Sequence, residues 1–153
     1  MLTIHVADEL RYAWDDPDPV HQTIKDGAVA VEGDRVAATG SLADLQERFP
    51  GARVRRWPGV LGPGLVLEGP LPDAPTPRER VHSVLKSGAV AILEEYADTA
   101  ELRAAAGRND VAVLARGRPA AIVAGGRADL AVFDEDGACV ATVCAGRLVH
   151  RRR

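Results

Sequence analysis

The chain has 153 residues, of which 46% are hydrophobic and 27% are charged. This composition is typical of one globular domain, because disordered chains carry far fewer apolar residues. The net charge of −3 and the isoelectric point near 5.8 argue against nucleic-acid binding, which requires basic surfaces. No apolar run reaches the roughly 18 residues of a membrane span, and no secretory signal follows Met1, so we expect a cytoplasmic, soluble protein without a membrane partner.

The first predicted strand covers residues 2–7, where β-favouring side chains alternate. A proline-rich loop follows that contains Asp15, Asp16, Asp18 and His21. We expect these side chains to be solvated, because a metal site needs a preformed geometry that a proline-rich loop does not supply. Residues 27–40 read GAVAVEGDRVAATG, two apolar runs joined by turn-forming residues, which predicts a β-hairpin.

A short helix is predicted after the hairpin, with Ser41 as its N-cap and Phe49 near its end. Residues 53–57 then read as another strand. Alternation places Arg53 and Arg55 on the same face as Trp57, so we expect these arginines near the indole ring.

The middle of the chain alternates short apolar strands with helices. Residues 64–67, 89–93 and 111–114 read as the strands. The first helix begins with Thr76 as N-cap and Pro77 at the first helical position. The second is predicted to begin after Asp98 or Thr99 and to stop at Gly107. This alternation predicts parallel βαβ units.

The last part of the chain reads as β-structure again, with predicted strands in residues 126–134 and 140–149 and a turn at 136–137. Cys139 and Cys144 lie five apart in this extended segment. Alternation sends them to opposite faces, so they should not form a disulfide. Two unpaired thiols are typical of a reducing cytosol.

Four of these segments resemble one known superfamily. Residues 27–40, 63–66 (PGLV), 126–134 (GRADLAVFD) and 140–149 resemble the segments with which amidohydrolase-superfamily enzymes, of the imidazolonepropionase and aminodeoxyfutalosine deaminase kind, build a split β-sandwich around a metal-bearing barrel. The resemblance implies a mixed α/β fold, in which residues 1–67 and 120–153 form a composite β-sandwich. Residues 71–118 would be a small α/β insertion in place of the barrel, because a complete (β/α)₈ barrel needs about 250 residues.

The resemblance also concerns a metal site. In the family, PGLV is followed by Asp-x-His-x-His, whose histidines hold the catalytic metal. In this chain, Leu67, Gly69 and Leu71 take the positions of the aspartate and the two histidines, and none of these side chains can ligate a metal. We therefore expect no metal and no other cofactor.

The candidate catalytic residues are acids at predicted strand ends. Glu68, Glu94 and Glu95 follow the strands 64–67 and 89–93, the position that barrel enzymes use for catalysis. His82 or Asp110 would complete a cluster with them. The alternative is that these acids are solvated and begin the next loop. The resemblance gives Asp129 a structural role, bonding loop backbone between the two halves of the domain.

Three functions remain open at this point. The first is a stand-alone, catalytically silent composite domain that binds a partner protein or a small-molecule ligand. The alternatives are a reduced metal-dependent hydrolase of carbon–nitrogen bonds other than peptide bonds, and an accessory subunit of a full-length amidohydrolase. We also expect a homodimer, because a small parallel sheet leaves open edges and an apolar face. Its contact would lie on or above Val90, Ile92, Val111 and Val113.

Overall fold

The computed structural model describes residues 2–15 and 23–152, so Asp16, Asp18 and His21 lie outside the described residues. The strands are β1 (Leu2–Arg11), β2 (Thr23–Lys25), β3 (Gly27–Glu32), β4 (Arg35–Ser41), β5 (Arg53–Pro63), β6 (Leu65–Leu67), β7 (Ala89–Leu93), β8 (Ala112–Leu114), β9 (Leu130–Phe133), β10 (Cys139–Cys144) and β11 (Arg147–Arg151). The helices are α1 (Leu42–Arg48), α2 (Pro77–Lys86) and α3 (Ala100–Arg108), and a 3-10 helix covers Glu94–Tyr96. Within these ranges no helix has both the length and the apolar character needed to cross a membrane.

The larger sheet joins the two ends of the chain. Its strands follow the order β11-β10-β9-β5-β1-β3-β4, and β2 pairs with β1. The two halves meet at β5 and β9, which run antiparallel from Val60 opposite Phe133 to Pro63 opposite Leu130. With the separate parallel sheet described below, this pairing confirms the predicted mixed α/β composite fold. The domain boundaries at residues 67, 71, 118 and 120 stay predictions.

The larger sheet curls around an apolar core. The backbone of Val36 on β4 donates to Gly126 O at 2.9 Å and accepts from Gly125 N at 2.8 Å, so the turn before β9 covers the β4 edge. Alternation along β3 directs Val29 and Val31 into this core, whereas Ala28 and Ala30 point to the other face, beneath α1. The enclosed core contains Ala7, Leu10, Val29, Val31, Val36, Trp57, Leu61, Ile122, Ala128, Leu130, Val132, Val140, Ala141 and Val143.

Local signals account for the hairpin and for α1. β3 and β4 pair as predicted, and Gly33 turns the chain between them with a φ of 61°, which glycine adopts without strain. Ser41 Oγ accepts a hydrogen bond from the backbone N of Asp44 at 3.2 Å, as an N-cap does. Leu42 and Leu45 are the buried residues of this helix. The predicted hairpin and helix are therefore both confirmed.

The smaller sheet has the order β6-β7-β8 and is entirely parallel, as the strand–helix alternation predicted. Thr76 caps α2 and Thr99 caps α3 through their hydroxyl oxygens. The predicted stop at Gly107 is wrong, because α3 continues to Arg108. The side chain of Asn109 donates to Ala105 O at 2.8 Å, and the chain turns only at Asp110, which has a φ of 59°.

The parallel unit packs on the outer face of β10. Thr142 Oγ1 on β10 donates to Leu85 O on α2 at 2.7 Å. Cys144 lies in the same apolar cluster as Leu85 and Ile92. Both cysteines are free thiols, Cys139 half-buried and Cys144 buried, in agreement with the prediction that they do not pair. The insertion therefore rests on the composite sheet through α2.

Candidate functional site

The candidate catalytic residues lie in three separate surface regions. Glu68 is exposed in a groove with Trp14 and Arg118. Glu94 and Glu95 are exposed on the 3-10 helix, in a depression that Arg103 also lines.

His82 is exposed on α2, in a groove with Thr76, Arg78, Glu79 and Asn109. Asp110 is engaged elsewhere, because its carboxylate accepts a hydrogen bond from Arg147 Nη2 at 2.7 Å. Glu68, the pair of Glu94 and Glu95, and His82 thus line three different hollows. Their individual roles stay predictions.

The positions that resemble a metal site do not fit a metal. Leu71, at the second histidine position, is only 5% exposed and lies in the apolar cluster of the parallel unit, against which Leu67 also packs. Gly69 has no side chain. Within residues 2–15 and 23–152, no three histidine, cysteine, aspartate or glutamate side chains are grouped closely enough to hold a metal ion. The residues present therefore supply hydrocarbon where the resemblance implies imidazole.

A different feature, a pocket of about 560 Å³, lies over one face of the parallel sheet. Strand pairing places Val66 beside Ala91 and Ala91 beside Ala112, so the three side chains share this face, with Leu114 two residues further along β8. All four line the pocket. Ala91 is fully buried, and the other three are half-buried. The floor of the pocket is therefore apolar and is built by all three strands.

A loop that follows β8 forms the opposite wall. We call residues 115–123 the strap. Its far end is fixed to the composite sheet, because Ile122 N donates to Tyr12 O at 2.8 Å and Ala121 forms an antiparallel bridge with Ala13. Ile122 is buried in the core of the larger sheet. The strap therefore crosses the parallel sheet between two anchored ends.

The strap separates two adjoining hollows. Arg118, Pro119 and Ala120 line both the 560 Å³ pocket and a neighbouring groove of about 290 Å³. Trp14 belongs to the neighbouring groove and is held in place by a hydrogen bond from its Nε1 to Pro63 O at 2.7 Å. Its ring lies against Gly62, where a Cβ atom would collide with it. A rigid aromatic side chain therefore bounds the far side of the strap.

Arginines dominate the polar rim of the pocket. Arg35, Arg118 and Arg127 line it together with a single acid, Asp129. Arg127 Nε donates to Asp129 Oδ1 at 2.9 Å, and Asp129 Oδ1 also accepts from Ala145 N at 2.9 Å. Asp129 bonds loop backbone as expected, but its carboxylate ties the turn after β10 to the start of β9 within the C-terminal half and does not link the two halves. Its charge is already neutralised by Arg127.

The buried thiol of Cys144, which lies beside this ion pair, is unreactive. Arg127 Nη2 donates to Cys144 Sγ at 3.2 Å. Burial nevertheless raises the pKa of Cys144 to about 11, although the nearby guanidinium acts in the opposite direction. Because the thiolate is the reactive form of cysteine, Cys144 is protonated and unreactive near neutral pH.

Part of this pocket is visible as a pattern in the sequence. Alanine alternates with larger apolar residues at positions 89–92, and the run Arg116–Gly117–Arg118–Pro119 interrupts an apolar stretch. Neither pattern shows which face of the sheet the strap covers. That relationship arises from tertiary packing.

Comparison with known proteins agrees with the fold. Residues 27–52 match the family described as "Imidazolonepropionase-like composite domain, bacteria". No curated protein sequence matches the chain.

Among solved structures, guanine deaminase from E. coli is similar with a TM-score of 0.54 and 17% identity, over 74% of this chain and 35% of the enzyme. Guanine deaminase from Bradyrhizobium japonicum has a TM-score of 0.55 and 14% identity, over 74% of this chain and 34% of the enzyme. A triazine hydrolase variant has a TM-score of 0.51 and 13% identity, over 73% of this chain and 34% of the variant.

The chain spans about a third of the length of these enzymes. At such low identity the similarity establishes the fold and nothing about activity. The imidazolonepropionase-like segment covers β3, β4 and α1, where the sequence resemblance also begins. The chain therefore shares its fold with about a third of each of these enzymes, and its residues 27–52 match the imidazolonepropionase-like composite domain.

Proposed function

We propose that this chain is a binding module, derived from an amidohydrolase composite domain, that no longer catalyses hydrolysis. The observation that carries the proposal is the burial of Leu71. The family motif places a metal-binding histidine at this position, and here the side chain is 5% exposed inside an apolar cluster. Burying a charged metal ion among hydrocarbon side chains is strongly unfavourable. The same segment therefore supports the packing of the insertion instead of a metal.

The pocket under the strap is the binding site in this proposal. It has a concave apolar floor with a few polar groups on its rim, which is the usual composition of small-molecule sites. Its volume of about 560 Å³ falls within the range of roughly 300 to 1,000 Å³ that is typical of such sites. The groove at His82 is of similar size, but it is formed by exposed side chains of α2 and its N-cap, together with Asn109 at the end of α3.

The experiment measures metal content and hydrolysis together. Purified chain is incubated with Zn²⁺, Fe²⁺ or Mn²⁺, passed through a desalting column and analysed for bound metal. Ammonia release from guanine is then assayed, with E. coli guanine deaminase as the positive control. We expect no stoichiometric metal and no ammonia above background. About one metal per chain, with ammonia release that a chelator abolishes, would overturn the proposal in favour of a reduced hydrolase.

A second candidate function is docking on a protein partner, either a full-length amidohydrolase or a second copy of this chain. The open edges of β6 and β8 favour it, because an edge strand offers unpaired backbone groups to another chain. Co-purification from the native host tests this candidate. Recovery of an amidohydrolase at a stable ratio would support the accessory role, and recovery of the chain alone would count against it.

A further inference from the structure

The pocket under the strap has an excess of positive charge at its rim. Of the four charged residues that line it, three are arginines and one is Asp129. Arg127 and Asp129 neutralise each other through a 2.9 Å ion pair. Arg35 has only a 3.6 Å contact with Asp34, and both side chains are 61% exposed. Asp34 offsets the charge of Arg35 although the pair is exposed, so the uncompensated positive charge on the rim is that of Arg118.

Arg118 is the arginine best placed to meet a ligand. It lies on the strap, exposed, between the pocket and the neighbouring groove. No hydrogen bond or ion pair joins its guanidinium to any other residue within 2–15 and 23–152. Pro119 follows it, and a residue before proline is restricted to extended conformations. The backbone that carries this guanidinium is therefore partly ordered before any ligand arrives.

The floor sets the second requirement on a ligand. Val66, Ala112 and Leu114 are half-buried on the pocket face, so hydrocarbon of the sheet remains accessible there. Alanines at positions 91 and 112 leave room at the centre of the floor, where larger side chains would fill the space. A ligand that covers this surface needs an apolar body, because only such a body gains from removing hydrocarbon from water.

Together these features define a class of ligand. We propose that the pocket takes a small organic carboxylate with an apolar body, an inference that rests on the binding function proposed above. Arg118 binds the carboxylate, and the face formed by Val66, Ala91, Ala112 and Leu114 receives the body. A planar guanidinium matches the two oxygens of a carboxylate and can bind both at once.

The test compares 4-phenylbutyrate with its neutral amide, 4-phenylbutyramide, by titration calorimetry on the whole chain. The two probes share a body and differ in charge. We expect saturable one-to-one binding of the carboxylate and about tenfold weaker binding of the amide, since a hydrogen bond to a charged group contributes on that scale. The affinity for the carboxylate should also fall as salt is raised.

Two variants on the strap provide a matched comparison. Arg118→Gln should weaken carboxylate binding about tenfold and leave amide binding nearly unchanged. Arg116→Gln removes the same charge two residues earlier, at an exposed side chain outside the lining of the pocket, and should change affinity by less than about twofold. Ala112→Leu should abolish the binding of both probes by filling the floor. Circular dichroism confirms that each variant is folded.

The outcomes separate this inference from the proposed function. Equal affinities for carboxylate and amide, both lost in Ala112→Leu, would overturn the anion specificity and leave a binding module. Equal losses in Arg116→Gln and Arg118→Gln would overturn the role of Arg118. Absence of saturable binding by the folded chain would also overturn the inference, and metal-dependent ammonia release in the separate assay would overturn the proposed function itself.

Discussion

Trp57 Nε1 donates a hydrogen bond to Nδ1 of His5 at 3.2 Å, across the parallel strands β5 and β1. An acceptor nitrogen carries no proton, so this bond requires the neutral form of the imidazole. His5 is 3% exposed. Burial first, and the charge of Arg55 second, lower its pKa from 6.5 to about 4. The two residues therefore form a neutral polar pair at the edge of the core.

This pair predicts a loss of stability in mild acid. The unfolded chain takes up a proton on His5 near pH 6.5 and the folded chain only near pH 4, so between these values protons favour the unfolded state. The contribution of His5 is complete above pH 6.5 and declines as the pH falls towards 4, by a total of about 3 kcal/mol. Urea unfolding followed by tryptophan fluorescence at several pH values measures it.

His5→Gln supplies the comparison, because glutamine does not titrate and its amide oxygen can accept the indole hydrogen bond. The difference in unfolding free energy between the two proteins should shrink as the pH is lowered from 7 to 4. If the unfolding free energies of wild type and variant changed with pH in parallel, the lowered pKa of His5 in the folded chain would be contradicted.

A second prediction concerns two glycines. Gly62→Ala should lower the free energy of unfolding by about 2 kcal/mol, because a Cβ atom would collide with the ring of Trp14. Gly69→Ala is the control, since a Cβ atom there has no neighbour within 4 Å. It should be close to neutral. Thermal unfolding of both variants checks the prediction, and similar melting temperatures would contradict the packing of Trp14 on Gly62.

A third prediction tests the structural role of Asp129. Asp129→Ala removes the acceptor of both Arg127 Nε and Ala145 N and should cost about 2 kcal/mol, the usual penalty for leaving partly buried donors unpaired. Asp129→Asn removes the charge but keeps the Oδ1 oxygen that accepts from both donors, and should cost less. Asp34→Ala removes an exposed carboxylate and should have almost no effect. Chemical denaturation gives all three values, and a loss no larger for Asp129→Ala than for Asp34→Ala would refute the structural role.

The predicted homodimer now rests on strand edges rather than on an apolar face. Val90, Ile92 and Val111 are 3%, 0% and 4% exposed within a single chain, because α2 and α3 pack against their face of the parallel sheet. The strap covers the opposite face, that of Ala91 and Ala112. We therefore propose a contact that involves the free edges of β6 or β8. Light scattering over a concentration series should give the dimer mass at micromolar chain. A monomer mass throughout would rule the dimer out.

Local chemistry explains which elements could be predicted from the sequence. The hairpin at residues 27–40 and the start of α2 at Thr76 depend on turn residues, an N-cap and a proline, which act within a few positions of the chain. The end of α3 was misplaced because Gly107 competes with a cap at Asn109 and a left-handed Asp110. Sequence alone did not show which of these signals would end the helix.

Long-range partners could not be predicted in the same way. Arg53 and Arg55 were expected near Trp57, but the guanidinium over the indole is that of Arg151, 5.8 Å from the ring centroid. Glu68 and Glu94 both follow parallel strands, yet the 3-10 helix carries Glu94 towards Arg103 while Glu68 lies beside the strap. Periodicity gives the face of a strand and not the segment that will pack against it.

The closure of the β4 edge by residues 125–126 has a consequence for synthesis on the ribosome. While the chain is being made, β4 and β5 emerge long before the residues that will cover and pair with them. Until about 130 residues have left the exit tunnel, β4 and β5 each have an edge without its final partner. The apolar residues of the enclosed core that have already been synthesised face water during this time. Bringing such distant segments together is slow because it requires closing a long loop. We therefore expect a nascent chain stalled before the strap to be prone to aggregation.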